Sequence, residues 1–158
     1  MITLIDSPLL DSVSAEARAN ARLRKNRNFH LSNEDKCHRL LNAIEPGSYV
    51  APHRHLDPDK DETMLVVRGR LGLVSFDEAG QAVDVLSLSS DSSPIGVDIA
   101  HGTWHCVFAL ESGTVFLEAK AGPYRALTAA ECAPWAPREG APEAQHYLAE
   151  LLRLVSHC

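Results

Sequence analysis

The sequence lacks the features that mark several protein classes. Its 158 residues include four cysteines, Cys37, Cys106, Cys132 and Cys158, with no pair at CxxC spacing. Disulfide frameworks and thiolate metal sites need dense or regular cysteines, so both are excluded; reduced thiols in the cytoplasm are the expectation. No window approaches the roughly 20 apolar residues of a membrane-spanning helix. The opening "MITLIDSPLLDSV" has no basic leader before a long apolar run, so neither an export signal nor a membrane partner is expected. Positive charge is in deficit, 15 Lys and Arg against 21 Asp and Glu, a formal charge of −6. General nucleic-acid binders displace counterions with a positive surface, so no nucleic-acid partner is expected. The one basic run, "RLRKNR" at Arg22–Arg27, suits a helix end or a solvated segment. There is no internal repeat and no low-complexity tract.

What is present is a globular mixture, 45% apolar and 23% charged, sized to bury one core. Leu9, Leu10, Val13, Ala17 and Ala21 recur at helical spacing, which predicts a helix from Leu9 to about Arg24. The texture then changes to short apolar runs punctuated by Gly, Pro, Asp and Ser, such as "HRLLNAI", "SYVAPHRH", "TMLVVRGRLGLVSF", "HCVFAL" and "GTVFLEAKA". Brief strands without helical periods between them predict an all-β sandwich or barrel, not a βαβ fold. "FDEAGQAVDV" predicts a hairpin turning at Asp77–Gly80. Near the end, Leu148, Leu151, Leu152 and Val155 share one face of an amphipathic helix from about Glu143 to Ser156. That stripe must be covered by the barrel or by a second subunit; together with exposed strand edges it leads to the expectation of a homodimer. The expected organisation is one domain over 1–158: a helical segment at about 7–25, a barrel at about 36–122, and a C-terminal loop and helix at about 123–158.

The chemistry concentrates in "PHRHLDPDKDE", Pro52 to Glu62. In a strand, residues two apart point to the same side, so His53 and His55 project together and Arg54 projects away. After the turn-forming "LDPDKD", a strand returning antiparallel beside them brings Glu62 near, with Glu62, Met64 and Val66 on the inward face. A carboxylate heading an apolar strand is costly to bury unless it is paired or bound to a cation. In "AHGTWH", Gly102 permits a tight turn and His105 starts an apolar strand in which His105, Val107 and Ala109 share one side, Cys106 and Phe108 the other. His101 falls on the turn and is left outside the site. Three imidazoles and one carboxylate form a mixed N/O set suited to one divalent transition metal, Fe, Zn, Mn, Ni or Co, with coordination positions left open for a ligand.

"GSYVAPHRHLDPDKDETMLVVRG" resembles the first motif of the cupin superfamily, here Gly47, His53, His55, Glu62 and Gly69, and "AHGTWH" resembles the second, here Gly102 and His105. Six residues separate His55 from Glu62 where most cupins have three or four, and Ala100 stands where proline is usual. The set "RKNRNFH", "RLLNAIEPGSYVAPHRH", "DETMLVVRGRLG", "DEAG", "GTWH", "EAKAGPY" and "WAPREG", from about Arg24 to Gly140, resembles the WbuC family of cupin-fold metalloproteins. The resemblance implies a jelly-roll (double-stranded β-helix) cupin barrel between an N-terminal and a C-terminal helix. It also implies a metal held by His53, His55, Glu62 and His105, and links to polysaccharide and O-antigen chemistry.

A small-molecule ligand is therefore the expected partner. Lys120 and Tyr124 in "EAKAGPY" are candidate catalytic groups, Lys120 as an anion anchor and Tyr124 as acid or base. Asn28 and His30, on the alternating polar segment "NRNFH", are candidate substrate-binding residues at the barrel mouth. Trp104 either packs or offers a stacking platform for substrate. Trp135 is expected to pin the C-terminal excursion to the barrel. The expected activity is a metal-dependent isomerase, lyase or dioxygenase acting on a small polar metabolite, with a non-catalytic sugar-binding module as the alternative.

Overall fold

The computed structural model describes residues 2–156. The chain begins with helix α1, Ser7–Ala19, in which the Asp6 side chain accepts a hydrogen bond from the Leu9 amide at 3.1 Å and Leu10, Val13 and Ala17 turn inward. Eight strands follow: β1 (Arg24–Asn28), β2 (Cys37–Ile44), β3 (Glu62–Arg68), β4 (Arg70–Phe76), β5 (Ala82–Ser89), β6 (Gly96–Ile99), β7 (Trp104–Ala109) and β8 (Thr114–Ala121). A short 3₁₀ turn at Ala129–Glu131 and helix α2, Ala144–Val155, complete the chain. The strands form two antiparallel sheets, ordered β1-β2-β8-β3-β6 and β5-β4-β7.

The strands face each other through an apolar interior. Met64, Val66 and Phe116 of the first sheet and Leu71, Leu73, Val107 and Ala109 of the second share one buried cluster. The outer side of the first sheet is covered by α1, whose Leu10, Val13 and Ala17 pack on Leu41, Ala43 and Val115. The outer side of the second sheet is covered by α2, whose Leu148, Leu151 and Val155 pack with Val74, Phe76, Cys106 and Phe108. Between β3 and β4, Gly69 turns the chain at φ +76°, where a Cβ would lie 2.7 Å from Thr114 Oγ1, so this residue is held by both backbone and contact. Among the described residues, no helix is long and apolar enough to cross a membrane.

Two sequence expectations change. The first helix ends at Ala19, not near Arg24, because Arg24–Asn28 pairs antiparallel with Leu40–Ile44 as an edge strand; sheet hydrogen bonding overrides the helical preference of Arg24 and Lys25. The sheet thus starts twelve residues before the expected barrel boundary at 36. Segment 48–55 is not a regular strand; its ladder contacts among the described residues are the bridges of His53 to His105 and to Cys132. Of the two covers expected for the apolar stripe of α2, the barrel is the one found: it lies against this chain's own second sheet.

Two of the contacts that fasten the C-terminal excursion are a ring packing and an ion pair. Trp135 packs 4.8 Å from Phe76 between ring centroids. Glu139 accepts hydrogen bonds from Arg22 at 2.7 Å and Arg24 at 2.7 Å. Those guanidinium contacts lower the Glu139 pKa from 4.5 to about 2. A carboxyl with a depressed folded-state pKa stabilises fully above its unfolded value and loses that contribution as pH falls through the folded one. Glu139→Gln is therefore expected to cost no more than about 1 kcal/mol at neutral pH, after solvent screening, with the gap from the parent closing between pH 4.5 and about 2. Urea denaturation across that range measures it. Leu151→Ala, which empties the α2 contact, is expected to cost about 2–5 kcal/mol in the same assay.

Candidate metal centre

His105 and His53 are brought together by backbone register. Each donates its amide to the other's carbonyl, at 2.9 and 3.0 Å, and directly opposed residues of an antiparallel pair project to the same side. Their rings lie 4.6 Å apart between centroids. His55 is fixed one step on, where the Gly102 amide donates to the His55 carbonyl at 2.6 Å; Gly102 turns at φ +79° to make that approach. Glu62 comes from the opposite sheet, at the start of β3, paired to Lys120 on one side and Ile99 on the other. The expected proximity of Glu62 to the histidines is present, but its cause differs. β3 does not pair with segment 53–55; the two sheets face each other across the interior.

The contacts are short. Glu62 Oε1 lies 3.0 Å from His55 Nε2, and Glu62 Oε2 lies 3.1 Å from His105 Nε2. One ligand atom from each of His53, His55 and Glu62 falls within 4.8 Å of the others, with His105 joining through Glu62. Ligand atoms around a transition metal with bonds of about 2.0–2.2 Å stand about 3–4.4 Å apart, so this spacing suits one ion.

Hydrogen bonding sets the imidazole tautomers. His53 Nδ1 sits 3.0 Å from the Ala51 carbonyl and His105 Nδ1 3.0 Å from the Thr103 carbonyl. A carbonyl only accepts, so each Nδ1 carries the proton and each Nε2 presents a lone pair. Burial pushes the His53 pKa down to about 3, which keeps that ring neutral. With Nδ1 donating to the Thr103 carbonyl, the neutral His105 ring turns its Nε2 lone pair toward Glu62 Oε2. Both atoms are buried, 3.1 Å apart, and neither has a hydrogen-bond partner among the described residues. Two opposed lone pairs in a dry interior call for a cation between them. The donor set thus fits a divalent ion.

Lys120 governs the other carboxylate oxygen. Its ammonium donates to Glu62 Oε1 at 2.6 Å and contacts Glu118 Oε1 at 2.7 Å; Asn42 Nδ2 donates to Glu118 Oε2 at 2.7 Å. Burial alone would raise the Glu62 pKa; the His55 contact and the Lys120 charge at Oε1 overcome it and hold the carboxyl far below its usual range. Burial would lower the Lys120 pKa, but Glu118 and Glu62 raise it. The chain Asn42–Glu118–Lys120–Glu62 lines one wall of a cavity of about 180 Å³ that also contains His53 and His105, with Val107 and Phe116 as apolar walls.

The remaining candidates divide. Lys120 faces the cavity. Asn28, His30 and Tyr124 line an adjoining cleft of about 350 Å³, Tyr124 being 54% exposed at its edge. Trp104 does not join them. Strand alternation puts it on the face opposite His105, where it packs in the α2 cluster, donates to Glu78 at 3.1 Å and carries Arg54 4.1 Å above its ring. His101 is exposed and bonded to Asp61 at 2.8 Å. Arg24 also lines the cavity, unanticipated because a helix was expected there; the alternation Arg24, Asn26, Asn28 was the signal for a strand. Cys106, with its pKa raised by burial, lies away from the cavity.

The family model described as "Domain of unknown function (DUF6016)" matches residues 5–88, more than half of the chain. The chain belongs to this family. No curated protein matches this DUF6016 chain in sequence. Among solved structures, it is similar to KdgF from Halomonas sp., at 18% identity over 65% of this chain and 82% of that one, with a TM-score of 0.50. It is also similar to the conserved SPY1581 protein of unknown function from Streptococcus pyogenes, at 9% identity over 79% and 91%, with a TM-score of 0.53. A cupin superfamily protein (DSY2733) from Desulfitobacterium hafniense aligns at 12% identity over 62% and 76%, with a TM-score of 0.48. The all-β architecture expected from the sequence, two facing antiparallel sheets with both terminal helices in place, is the fold found.

Removing the cation that serves two buried carboxylates leaves both uncompensated. Lys120→Met is expected to destabilise the metal-free protein by about 3–5 kcal/mol at neutral pH. Adding Glu118→Gln should recover part of the loss, and acidification should narrow the gap as the carboxyls take up protons. Denaturant titrations of the single and double variants measure both effects.

Proposed function

We propose that this DUF6016 chain binds one divalent transition metal through His53, His55, Glu62 and His105 and acts as a metal-dependent enzyme on a small polar metabolite. The observation that carries the reading is the buried meeting of Glu62 Oε2 and His105 Nε2, 3.1 Å apart and both unpartnered. When bound, such an ion polarises a substrate oxygen or lowers the pKa of a water. The chain's own residues do the rest. Carbonyls of Ala51 and Thr103 orient two imidazoles; Lys120 holds Oε1 of Glu62 and leaves Oε2 directed at the histidines. Val107, Phe116 and Met64 keep the cavity wall apolar, which strengthens electrostatic contacts inside it.

Lys120 is assigned an orienting role at Glu62. Tyr124, half exposed on the adjoining cleft, is assigned to substrate contact. The resemblance to the WbuC family supports a sugar or nucleotide sugar as the metabolite. The unpaired thiols of Cys37, Cys106 and Cys132 support a reducing compartment, the cytoplasm.

Elemental analysis of protein purified without added metal, then stripped and reloaded, tests the reading. One equivalent of Fe, Zn, Mn, Ni or Co is expected. Glu62→Gln and His105→Ala should each weaken metal affinity at least tenfold, while Cys106→Ser leaves it unchanged. A chain that takes up less than a tenth of an equivalent of every one of these ions would end the proposal. Full metal loading with ligand-induced thermal stabilisation, but no turnover, would assign the centre to binding alone.

A further inference from the structure

The register of the first sheet holds an observation that the metal centre does not use. β2 pairs His38 with Lys120, and β8 pairs Lys120 with Glu62. Opposed residues share a face, so His38, Lys120 and Glu62 form one polar row across the sheet. His38 is 4% exposed and stacks on His30, 7% exposed, with ring centroids 4.0 Å apart and planes 12° apart. This pair backs the cleft of about 350 Å³ whose other uncharged polar walls are Asn26, Asn28, Asn33 and Tyr124, with Glu118 and Lys120 at its side. Asn26, Glu118 and Lys120 line both the cleft and the metal cavity, so the two spaces adjoin.

The cleft has no surplus positive charge. Its one ammonium, Lys120, faces two carboxylates, Glu62 and Glu118, at 2.6 and 2.7 Å, which disfavours an anionic ligand. What remains are three carboxamides, two imidazoles and a phenol, each able to donate and to accept. His38 Nε2 is buried without a hydrogen-bond partner, and burial together with the neighbouring His30 lowers the His38 pKa, so the ring is neutral. A neutral surface of two-way hydrogen-bonding groups, one of them buried and unmet, matches hydroxyls.

We infer that this cleft binds an uncharged, hydroxyl-rich group, a sugar ring or cyclic polyol, carried by the molecule whose reacting end enters the metal cavity. The inference rests on the metal reading for the word "reacting" and on the cleft alone for the ligand class. With adjacent strands about 4.8 Å apart, the row from Glu62 to His38 spans about 10 Å, long enough for a ring plus an appended group.

The full chain, stripped and reloaded with Mn²⁺ or Zn²⁺, is titrated calorimetrically with the methyl glycosides of glucose, galactose, mannose, rhamnose and N-acetylglucosamine and with myo-inositol. Inorganic phosphate and citrate serve as anionic comparators. At least one neutral compound is expected to bind saturably and to shift the imidazole NMR signals of His30 and His38. The double variant Asn26→Ala/Asn28→Ala, altering exposed side chains on the edge strand, should weaken that binding at least tenfold while metal stoichiometry stays at the parent value. His38→Gln is a second variant with the same expectation. Binding of none of the neutral compounds, binding of phosphate or citrate alone, or neutral binding untouched by both variants overturns the inference. A neutral compound bound by a chain that takes up no metal upholds the cleft and removes the metal reading; metal uptake without a neutral ligand does the reverse.

Discussion

The structure turns on one carboxylate placed between two sheets. Glu62 is 2% exposed and belongs to β3, yet its nearest polar neighbours come from segment 53–55, β7 and β8. An isolated carboxylate in such a place would be driven to its neutral form. Here the Lys120 ammonium and the His55 contact at Oε1 favour the ionised form. The interior is thus arranged around a negative charge that the surrounding apolar residues do not tolerate alone.

A second buried carboxylate shows what a structural one looks like. Glu45, 5% exposed, receives Arg18 and the Gly113 amide on Oε1 and the Ser112 hydroxyl on Oε2. Both its oxygens are satisfied by donors from α1 and from the β7–β8 turn, and it ties those elements together. Glu62 differs in one atom: Oε2 meets the lone pair of an imidazole. That difference separates a residue that fastens a fold from one prepared for an ion.

The two helices divide the outer surfaces without touching the centre. α1 covers β2 and β8 on the side away from the cavity, and α2 covers the second sheet. Residues next to ligands in sequence therefore carry structural tasks. Trp104, beside His105, packs with Trp135 and Arg54; Cys106, on its other side, is sealed in the α2 core. Strand alternation alone assigns His105 inward and its neighbours outward, which is how a dry packed shell and a polar centre share six residues of β7.

The period-two pattern of β3 and β7, the glycine turns and the amphipathic stripe near the end were legible in the sequence because each is a local preference. HxH, the distant glutamate and the later histidine were legible as a set because they resemble a known motif. The end of α1 was not, since Arg24 and Lys25 suit a helix and only pairing with Ala43 and Ile44 makes them a strand. Nor could the sequence place Lys120 inside or out, stack His30 on His38, or choose what α2 packs against. Those outcomes depend on register and on which sheet lies opposite. Sequence by itself determined the ligand types and the strand periodicity; tertiary structure decided their convergence, because contacts between residues 62 and 105 or 38 and 120 exist only after long loops have closed.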